Sequence, residues 1–263
     1  MSNRSERQSG RVKAIVRELQ QSSSVSIHDL CSRYRASVAT IRRDLRQLEE
    51  QGLLRRTHGG AVPIEPLFYE PFRKDASFID LVGRNAEEKR RIAQAAAALV
   101  EQGNSIALTA GTTTTEVVRC LRHQGGIKVV TNTVNIAMEL SKRRDIEVFV
   151  TGGHLRGEWF SLVGPAAIDS LRQTFVDIVF IGANGIHPTA GLTCHSADEA
   201  AVNRAMVAQA KRHIAVVDHS KFGTIADWKI CNIEACDLII TDAGLTEDKV
   251  RDYAERGVAV QRV

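Results

Sequence analysis

Apolar residues recur along the first sixty positions at the spacing of short helices. Val12, Ile15, Val16 and Leu19 fall at i, i+3, i+4 and i+7, which predicts a helix with one buried face. Ile27, Leu30 and Cys31 form one side of a second short helix, with Ser26 placed to cap its first turn. A third helix is predicted from its N-cap, Ser37, to a stop at Gly52. Its apolar stripe is Ile41, Leu45 and Leu48, while Arg42, Arg43, Arg46 and Gln47 lie off that stripe. LLRRTHGGAV then reads as a tight β-hairpin with Gly59 and Gly60 near its bend.

The pattern changes after the hairpin. PIEPLFYEPFRKDASF, residues 63–78, holds three of the chain's five prolines and no helical period, which marks a linker. From residue 79 onward helical stretches alternate with aliphatic runs: SIALT (105–109), IKVVT (127–131), EVFVT (147–151), DIVFI (177–181), HIAVV (213–217), DLIIT (237–241) and VAVQR (258–262). Runs of this length, rich in Val and Ile and separated by helices, predict an α/β domain with a mainly parallel sheet. The expected organisation is a small N-terminal domain over 1–62, the linker 63–78 and a larger α/β domain over 79–263.

Charge separates the same two parts. Residues 1–62 carry 12 Lys and Arg against 6 Asp and Glu, whereas the remainder has 23 basic and 25 acidic residues. A basic module of three short helices and a hairpin has the layout of a winged helix-turn-helix, whose third helix enters the major groove of double-stranded DNA. Arginine suits that helix because its fork matches guanine O6 and N7, or a phosphate. Ser37, Ala39, Thr40, Arg42 and Arg43 are the base-side candidates; Arg46, Arg55, Arg56 and His58 are assigned to the phosphate backbone or a minor groove. A solvated amphipathic helix with incidental arginines is the plainer alternative, and the charge asymmetry together with the hairpin argues against it. RNA binding finds less support, since Tyr34 is the single Phe, Tyr or Trp among residues 1–62.

In parallel sheets ligands bind outside the carboxyl ends of the strands. The segments after the runs are AGTTTTEVV, NTVN, GGHLRGEW, GANGI, DHSKFG and DAGL, rich in small, hydroxyl and amide residues, with Arg156 and Lys221 adding positive charge. A strand leading through Gly111 into threonines and a helix offers backbone N–H groups and hydroxyls to an anion. The Lys of a P-loop is absent. Each segment also has a bland reading, as a helix cap or a tight turn, and their convergence on one edge carries the inference.

VSIHDLCSRYRASVATIRRDLRQLEEQGLLRRTHGGAV resembles the N-terminal domain of the DeoR family of bacterial transcription regulators, above all in TIRRDL, LEEQGLL and RTHGGA. One departure is RYRAS, which lacks the small residue often found at that turn, so Arg35 is expected to protrude. EEKRRIAQAAAALVEQGNSIALTAGTTT, VVTNTVNIAMEL, TGGHLRGEWFSLVG, DIVFIGANGI and DHSKFG are similar, in order, to the family's effector domain. The resemblance implies a fold similar to ribose-5-phosphate isomerase and a phosphorylated sugar as effector. It implies that Gly111, Thr112, Thr113 and Thr114 cradle the phosphate. Asn132, Gly152, Gly153, Arg156, Gly182, Asn184, Glu199 and Lys221 would line the sugar; the implication extends loosely to Lys89. Many members have an acidic residue just ahead of GTT, where this chain has Thr109-Ala110, so that sugar contact is not carried over.

The competing expectation is an enzyme, a sugar-phosphate isomerase or hydrolase with a DNA-binding appendage. Asp198, Glu199, Asp218 and Lys221 would have to supply its base and its enediolate-stabilising group. Against this, the strand-end segments are poor in paired carboxylates, and Asp198-Glu199 suit the start of a helix. Resemblance of fold licenses no chemistry. No run of about 18 apolar residues predicts a membrane span. The start, MSNRSERQSGR, is unlike a secretory signal. Cys31, Cys120, Cys194, Cys231 and Cys236 form no CxxC pair, and read as reduced thiols of a cytoplasmic protein without a metal site or cofactor. Two DNA half-sites call for paired reader domains, so a homodimer or higher homo-oligomer is expected.

Overall fold

Ser26 is extended, and its Oγ accepts the Asp29 N–H at 3.0 Å, which starts helix α1 over Ile27–Tyr34. Arg35 ends it in the left-handed region at φ 46, exposed to solvent. In this computed structural model the described residues are 11–263 except 13, 16, 17, 20–23, 51–53, 58, 64–80, 82, 83, 123, 124 and 142, with backbone alone at 50, 55 and 63. Val16, Gly52, His58 and nearly all of the linker expected over 63–78 therefore lie outside the described residues. The chain divides into two units, Met1–Pro71 and Phe72–Val263.

In the first unit, residues 11, 12, 14, 15, 18 and 19 are helical, and α2 spans Val38–Glu50. The expected faces are the buried ones: Ile15, Leu19, Leu30, Ile41, Leu45 and Leu48 share one core with Val25, Leu54 and Ala61. The hairpin forms from β2 (Leu54–Arg56) and β3 (Gly60–Pro63), paired antiparallel. A third strand, β1 (Val25–Ser26), pairs with β3 on its other side and has no hydrophobic run to announce it. Gly60 is required there, because a Cβ on it would stand 1.8 Å from the Val25 carbonyl oxygen.

The second unit is built on a seven-stranded sheet, and all seven aliphatic runs are its strands. They are β4 (Ser105–Leu108), β5 (Ile127–Thr131), β6 (Ile146–Val150), β9 (Val176–Ile181), β12 (Ala210–Val216), β14 (Leu238–Thr241) and β15 (Ala259–Arg262). Their order is β15-β14-β12-β9-β4-β5-β6, with every neighbouring pair parallel. Alternate residues go to opposite faces, and both faces are apolar. Ile106, Leu108, Ile178 and Phe180 join one core with helices α3 (Ala86–Ala97), α4 (Thr112–Cys120) and α5 (Val134–Leu140). Ala107, Val179 and Ala215 join the other with α6 (Pro165–Arg172), α7 (Ala197–Val207) and α8 (Glu247–Ala254). The alanine-rich segment is core packing, with Ala93, Ala96 and Ala97 buried.

Two smaller antiparallel elements were not legible: the ribbon of β7 (His154–Arg156) and β8 (Ser161–Val163), and the sheet of β10 (Gly185–His187), β11 (Gly191–Cys194) and β13 (Trp228–Cys231). Strands of three or four residues are too short to display a period. At the amino ends of the central strands the Asp177 carboxylate accepts from Ser105 N (2.9 Å), Ser105 Oγ (2.8 Å) and Lys211 Nζ (2.9 Å). The Lys211 bond leads in holding that carboxyl down at about 2. No helix among the described residues is long and apolar enough to cross a membrane.

Replacing Gly60 by alanine is expected to destabilise the first unit by about 1–3 kcal/mol, because the new methyl forces β1 and β3 apart. The denaturant midpoint of the first unit's unfolding, followed in the full chain, measures it.

Candidate functional site

The outer face of α2 presents the residues expected to read DNA. Ser37 caps the helix, accepting the Thr40 N–H at 3.2 Å, and Thr40 Oγ1 lies 2.9 Å from Ser37 Oγ. Ala39, Arg42, Arg43 and Arg46 are exposed, and no acid stands in the first turn, so nothing there offsets the positive end of the helix dipole. Arg56 is engaged within the protein: its N–H donates to Glu49 Oε1 at 2.9 Å and its Nε to Oε2 at 2.6 Å. These bonds, the backbone one first, hold the Glu49 carboxyl below its ordinary value. The Arg55 side chain and His58 are outside the described residues.

Asp44 was not singled out by sequence reasoning, yet it fixes this helix. It sits on the buried face, 1 % exposed, and accepts from Arg11 Nε at 2.6 Å. A buried carboxylate needs such a partner, and an aspartate beside an apolar stripe is the signal that was available. Arg33 pairs with Glu18, and Tyr34 Oη also donates to Glu18 at 3.3 Å. The first helix is thus tied to α2 by one ion pair and to α1 by another.

In the second unit the chain runs from β4 outward to β5 and β6, then returns to place β9 on the other side of β4. The crevice between the carboxyl ends of β4 and β9 is the topological switch point of the sheet. Thr109 Oγ1 accepts the Gly182 N–H at 2.9 Å, which closes the base of the crevice. Above it lies a cleft whose lining includes Gly111, Thr112, Thr113, Gly182, Asn184, Glu199 and Lys221 from the expected set. Helix α4 opens into it, and the first N–H groups of a helix have no partners within it. The cleft also holds Lys89, which sequence reasoning linked only loosely, and Leu81, Ala110, Trp159, Cys194, Asn203 and Asp218.

Lys89 is 3 % exposed, and its ammonium donates to the Leu81 carbonyl oxygen. Burial lowers its pKa, opposed by the nearby Asp218 charge. Burial acts to raise the Asp218 carboxyl, but hydrogen bonds from Ser220 and from Asn85 Nδ2 (2.9 Å) outweigh it, and the net shift is downward. Glu199 Oε1 accepts from Ser161 Oγ at 2.8 Å and faces Arg156 Nη1 at 3.6 Å.

Five expected residues do not line this cleft. Thr114 is fully buried and turns its hydroxyl inward, to Thr109 O at 2.8 Å and Gly111 O at 3.0 Å. Asn132 is also buried, with Nδ2 on Leu162 O at 3.1 Å. Gly153 has φ 116, and a Cβ there would lie 2.6 Å from Val163 O, so this glycine serves the packing of the ribbon. Gly152 is exposed beside it. Arg156 stands behind Glu199 and reaches the cleft only through that carboxylate.

Comparison with known proteins agrees with both units. The model of the DeoR-like helix-turn-helix domain matches residues 11–66, and that of the DeoR C terminal sensor domain matches residues 84–243. The chain belongs to the DeoR family. The HTH-type transcriptional regulator GlpR of Haloferax volcanii is 37% identical over 95% of this chain and 96% of its own. The HTH-type transcriptional repressor GlcR of Bacillus subtilis is 35% identical over 89% and 88%. The glycerol-3-phosphate regulon repressor of Escherichia coli is 32% identical over 90% and 92%. Among solved structures, ribose 5-phosphate isomerase A from Methanocaldococcus jannaschii matches 52% of this chain and 55% of its own, at 19% identity and a TM-score of 0.38. That last likeness is too partial to transfer chemistry.

As a DeoR-family member the chain is a DNA-binding transcriptional regulator, and α2 lies within the residues that match its helix-turn-helix domain. Arg42→Ala is expected to weaken operator binding about tenfold or more, the value of one base-reading arginine, while ligand binding stays intact. Fluorescence anisotropy on a labelled operator measures it. An unchanged affinity would remove Arg42 from the contact surface.

Proposed function

We propose that the chain is a repressor of carbohydrate-metabolism genes whose operator affinity is set by a phosphorylated sugar bound in the switch-point cleft. The phosphate sits on the N–H groups of Thr112 and Thr113 and on the ammonium groups of Lys89 and Lys221. The sugar hydroxyls run along Asn184 and Glu199. Gly111 and Gly182 let the ligand approach the backbone, and Arg156 sets the carboxylate of Glu199 from behind. The observation that carries this reading is the α4 N-terminus opening into the same cleft as two lysines, one of them buried. A helix N-terminus with adjacent cations is a ready anion site.

On this reading residues 1–62 bind DNA, 63–78 link, and 79–263 sense. Ser37, Ala39, Thr40, Arg42 and Arg43 face the bases; Arg46, Arg55, Arg56 and His58 take phosphates. Arg56 exchanges Glu49 for a DNA phosphate on binding. Pairing of two copies matches two operator half-sites. The free thiols and the DNA target fit a cytoplasmic protein. Named relatives are repressors of the glycerol-3-phosphate regulon and an HTH-type repressor, GlcR, which supports a role in carbohydrate control.

An isomerase reading draws on the same cleft, since Asp218, Glu199 and Lys221 all line it. Its weakness is basicity. The Asp218 carboxyl is held below its ordinary value, further from the pH at which a general base works well.

A thermal-shift screen against sugar phosphates and the matching free sugars, with every mixture checked for conversion, separates these readings. A ligand at about 100 times its dissociation constant adds about 2.7 kcal/mol, a shift of a few degrees. Stabilisation by a phosphorylated sugar that is recovered unchanged supports the repressor, and conversion of that sugar supports the enzyme. Lys221→Ala is expected to bind the operator as the parent does and to lose the response to the sugar phosphate. A variant that responds normally would move the phosphate elsewhere.

A further inference from the structure

Helix α7 begins at Ser196, whose Oγ accepts the Glu199 N–H at 3.4 Å, and it is anchored on the sheet by the buried Ala200, Val202 and Met206. Glu199 and Asn203 are one turn apart, so they project from the same helical face, and both line the switch-point cleft. Their situations differ. Glu199 Oε1 is already met by Ser161 and Arg156. Asn203 is 5 % exposed, and its Oδ1 has no hydrogen-bond partner among the described residues.

Buried polar atoms in folded proteins are almost always satisfied, and leaving one unmet works against stability. The cleft lining also includes Val216 and Val217, whose side chains have nothing to donate. Cys194 also lines the wall, but its Sγ is directed to the Ser196 carbonyl oxygen at 3.4 Å. The chain therefore keeps an amide carbonyl inside a ligand cleft without giving it a donor. It also places this carbonyl beside a carboxylate, so the pair forms an acceptor-rich strip.

We propose that Asn203 is a specificity-determining residue, its amide oxygen accepting a hydrogen bond from a hydroxyl of the bound sugar phosphate. This rests on the reading of the cleft given under the proposed function. It narrows the ligand class as well. An acceptor-rich strip welcomes a hydroxyl, which donates, and rejects a ligand carboxylate, which only accepts. The effector is then a neutral polyol or sugar carrying phosphate, and a phosphorylated carboxylic acid of the same length is disfavoured at this strip.

The test uses the full chain and the variants Asn203→Leu and Asn203→Asp. Binding is measured calorimetrically for inorganic phosphate, for a set of sugar and polyol phosphates that includes glucose 6-phosphate, fructose 1-phosphate and glycerol 3-phosphate, and for 3-phosphoglycerate. The parent is expected to bind at least one sugar or polyol phosphate and to discriminate against 3-phosphoglycerate. Asn203→Leu is expected to lose about tenfold or more in affinity for that ligand while keeping inorganic phosphate within about twofold. Its unliganded melting temperature is expected to match or exceed the parent's, because an unmet buried acceptor has been removed. A residue that merely supported the fold would lower it.

Unchanged affinity in Asn203→Leu, or an equal loss for inorganic phosphate, would overturn the assignment while leaving the phosphate site standing. A melting temperature lowered by several degrees in both variants would recast Asn203 as structural and overturn it too. A parent that binds neither inorganic phosphate nor any sugar phosphate would overturn the reading of the cleft, and this inference with it.

Discussion

At the seam between β4 and β9 the Thr109 hydroxyl accepts the Gly182 N–H at 2.9 Å, and the Thr109 carbonyl accepts the Thr114 hydroxyl at 2.8 Å. Thr109 is fully buried, so these bonds form where water cannot compete. They fix the first residue beyond one central strand against the first residue beyond the other, and against the first turn of α4. The cleft-lining segments that follow β4 and β9 are positioned from this seam. The β4 side supplies Gly111, Thr112 and Thr113, and the β9 side supplies Gly182 and Asn184. This chain spends Thr109 on the seam and leaves Ala110 in the cleft wall.

The electrostatics of the cleft follow from burial. Lys89 and Asp218 are 3 % and 2 % exposed: burial lowers the Lys89 ammonium against the opposing Asp218 charge, whereas the bonds from Ser220 and Asn85 outweigh burial at Asp218 and bring its carboxyl down. Asn85 bonds Asp218 across 133 residues of sequence, holding the start of α3 to the β12 end of the cleft. His219 does similar work on the other side: its N–H and Nδ1 both lie 2.8 Å from the buried Asp242 carboxylate, which sets the turn that carries Lys221. A ligand that brings a dianion to Lys89 and Lys221 therefore acts on groups tied to three separate elements. A site of that kind can favour one of two arrangements, which is what linkage to a second binding event requires.

Much of this was legible in the sequence, for physical reasons that differ by element. The seven strands of the main sheet are buried on both faces, so each is a continuous aliphatic run. The helices of the first unit show a single stripe, and Ile41, Leu45 and Leu48 are its buried residues. The residues that directly follow β4 and β9, to which the switch-point rule points, line one cleft. Asn132, Gly152 and Gly153, which follow strands β5 and β6 further along the sheet, do not line that cleft. Thr114 lies outside the cleft lining because a threonine in a first helical turn can bond back to the preceding strand as readily as it can face a ligand. Asp218 was weighed only as an enzymatic base, and Asn203 was passed over, since nothing local distinguishes an asparagine facing a cleft from one facing solvent. Asp44 on α2 was passed over although it stands beside the apolar stripe, because its partner Arg11 is far away in sequence.

The proposed repressor requires the two units to share one free energy, so that a sugar phosphate in the cleft and the operator influence each other. The measurement that tests it most directly is reciprocal: operator affinity with and without a saturating sugar phosphate, and affinity for that sugar phosphate with and without operator. Linkage requires the two ratios to be equal, and allosteric coupling requires them to differ from one, by about 5- to 150-fold in regulators of this kind. Equal ratios well away from one are the predicted result. A sugar phosphate bound with the same affinity whether or not the operator is present would contradict the account.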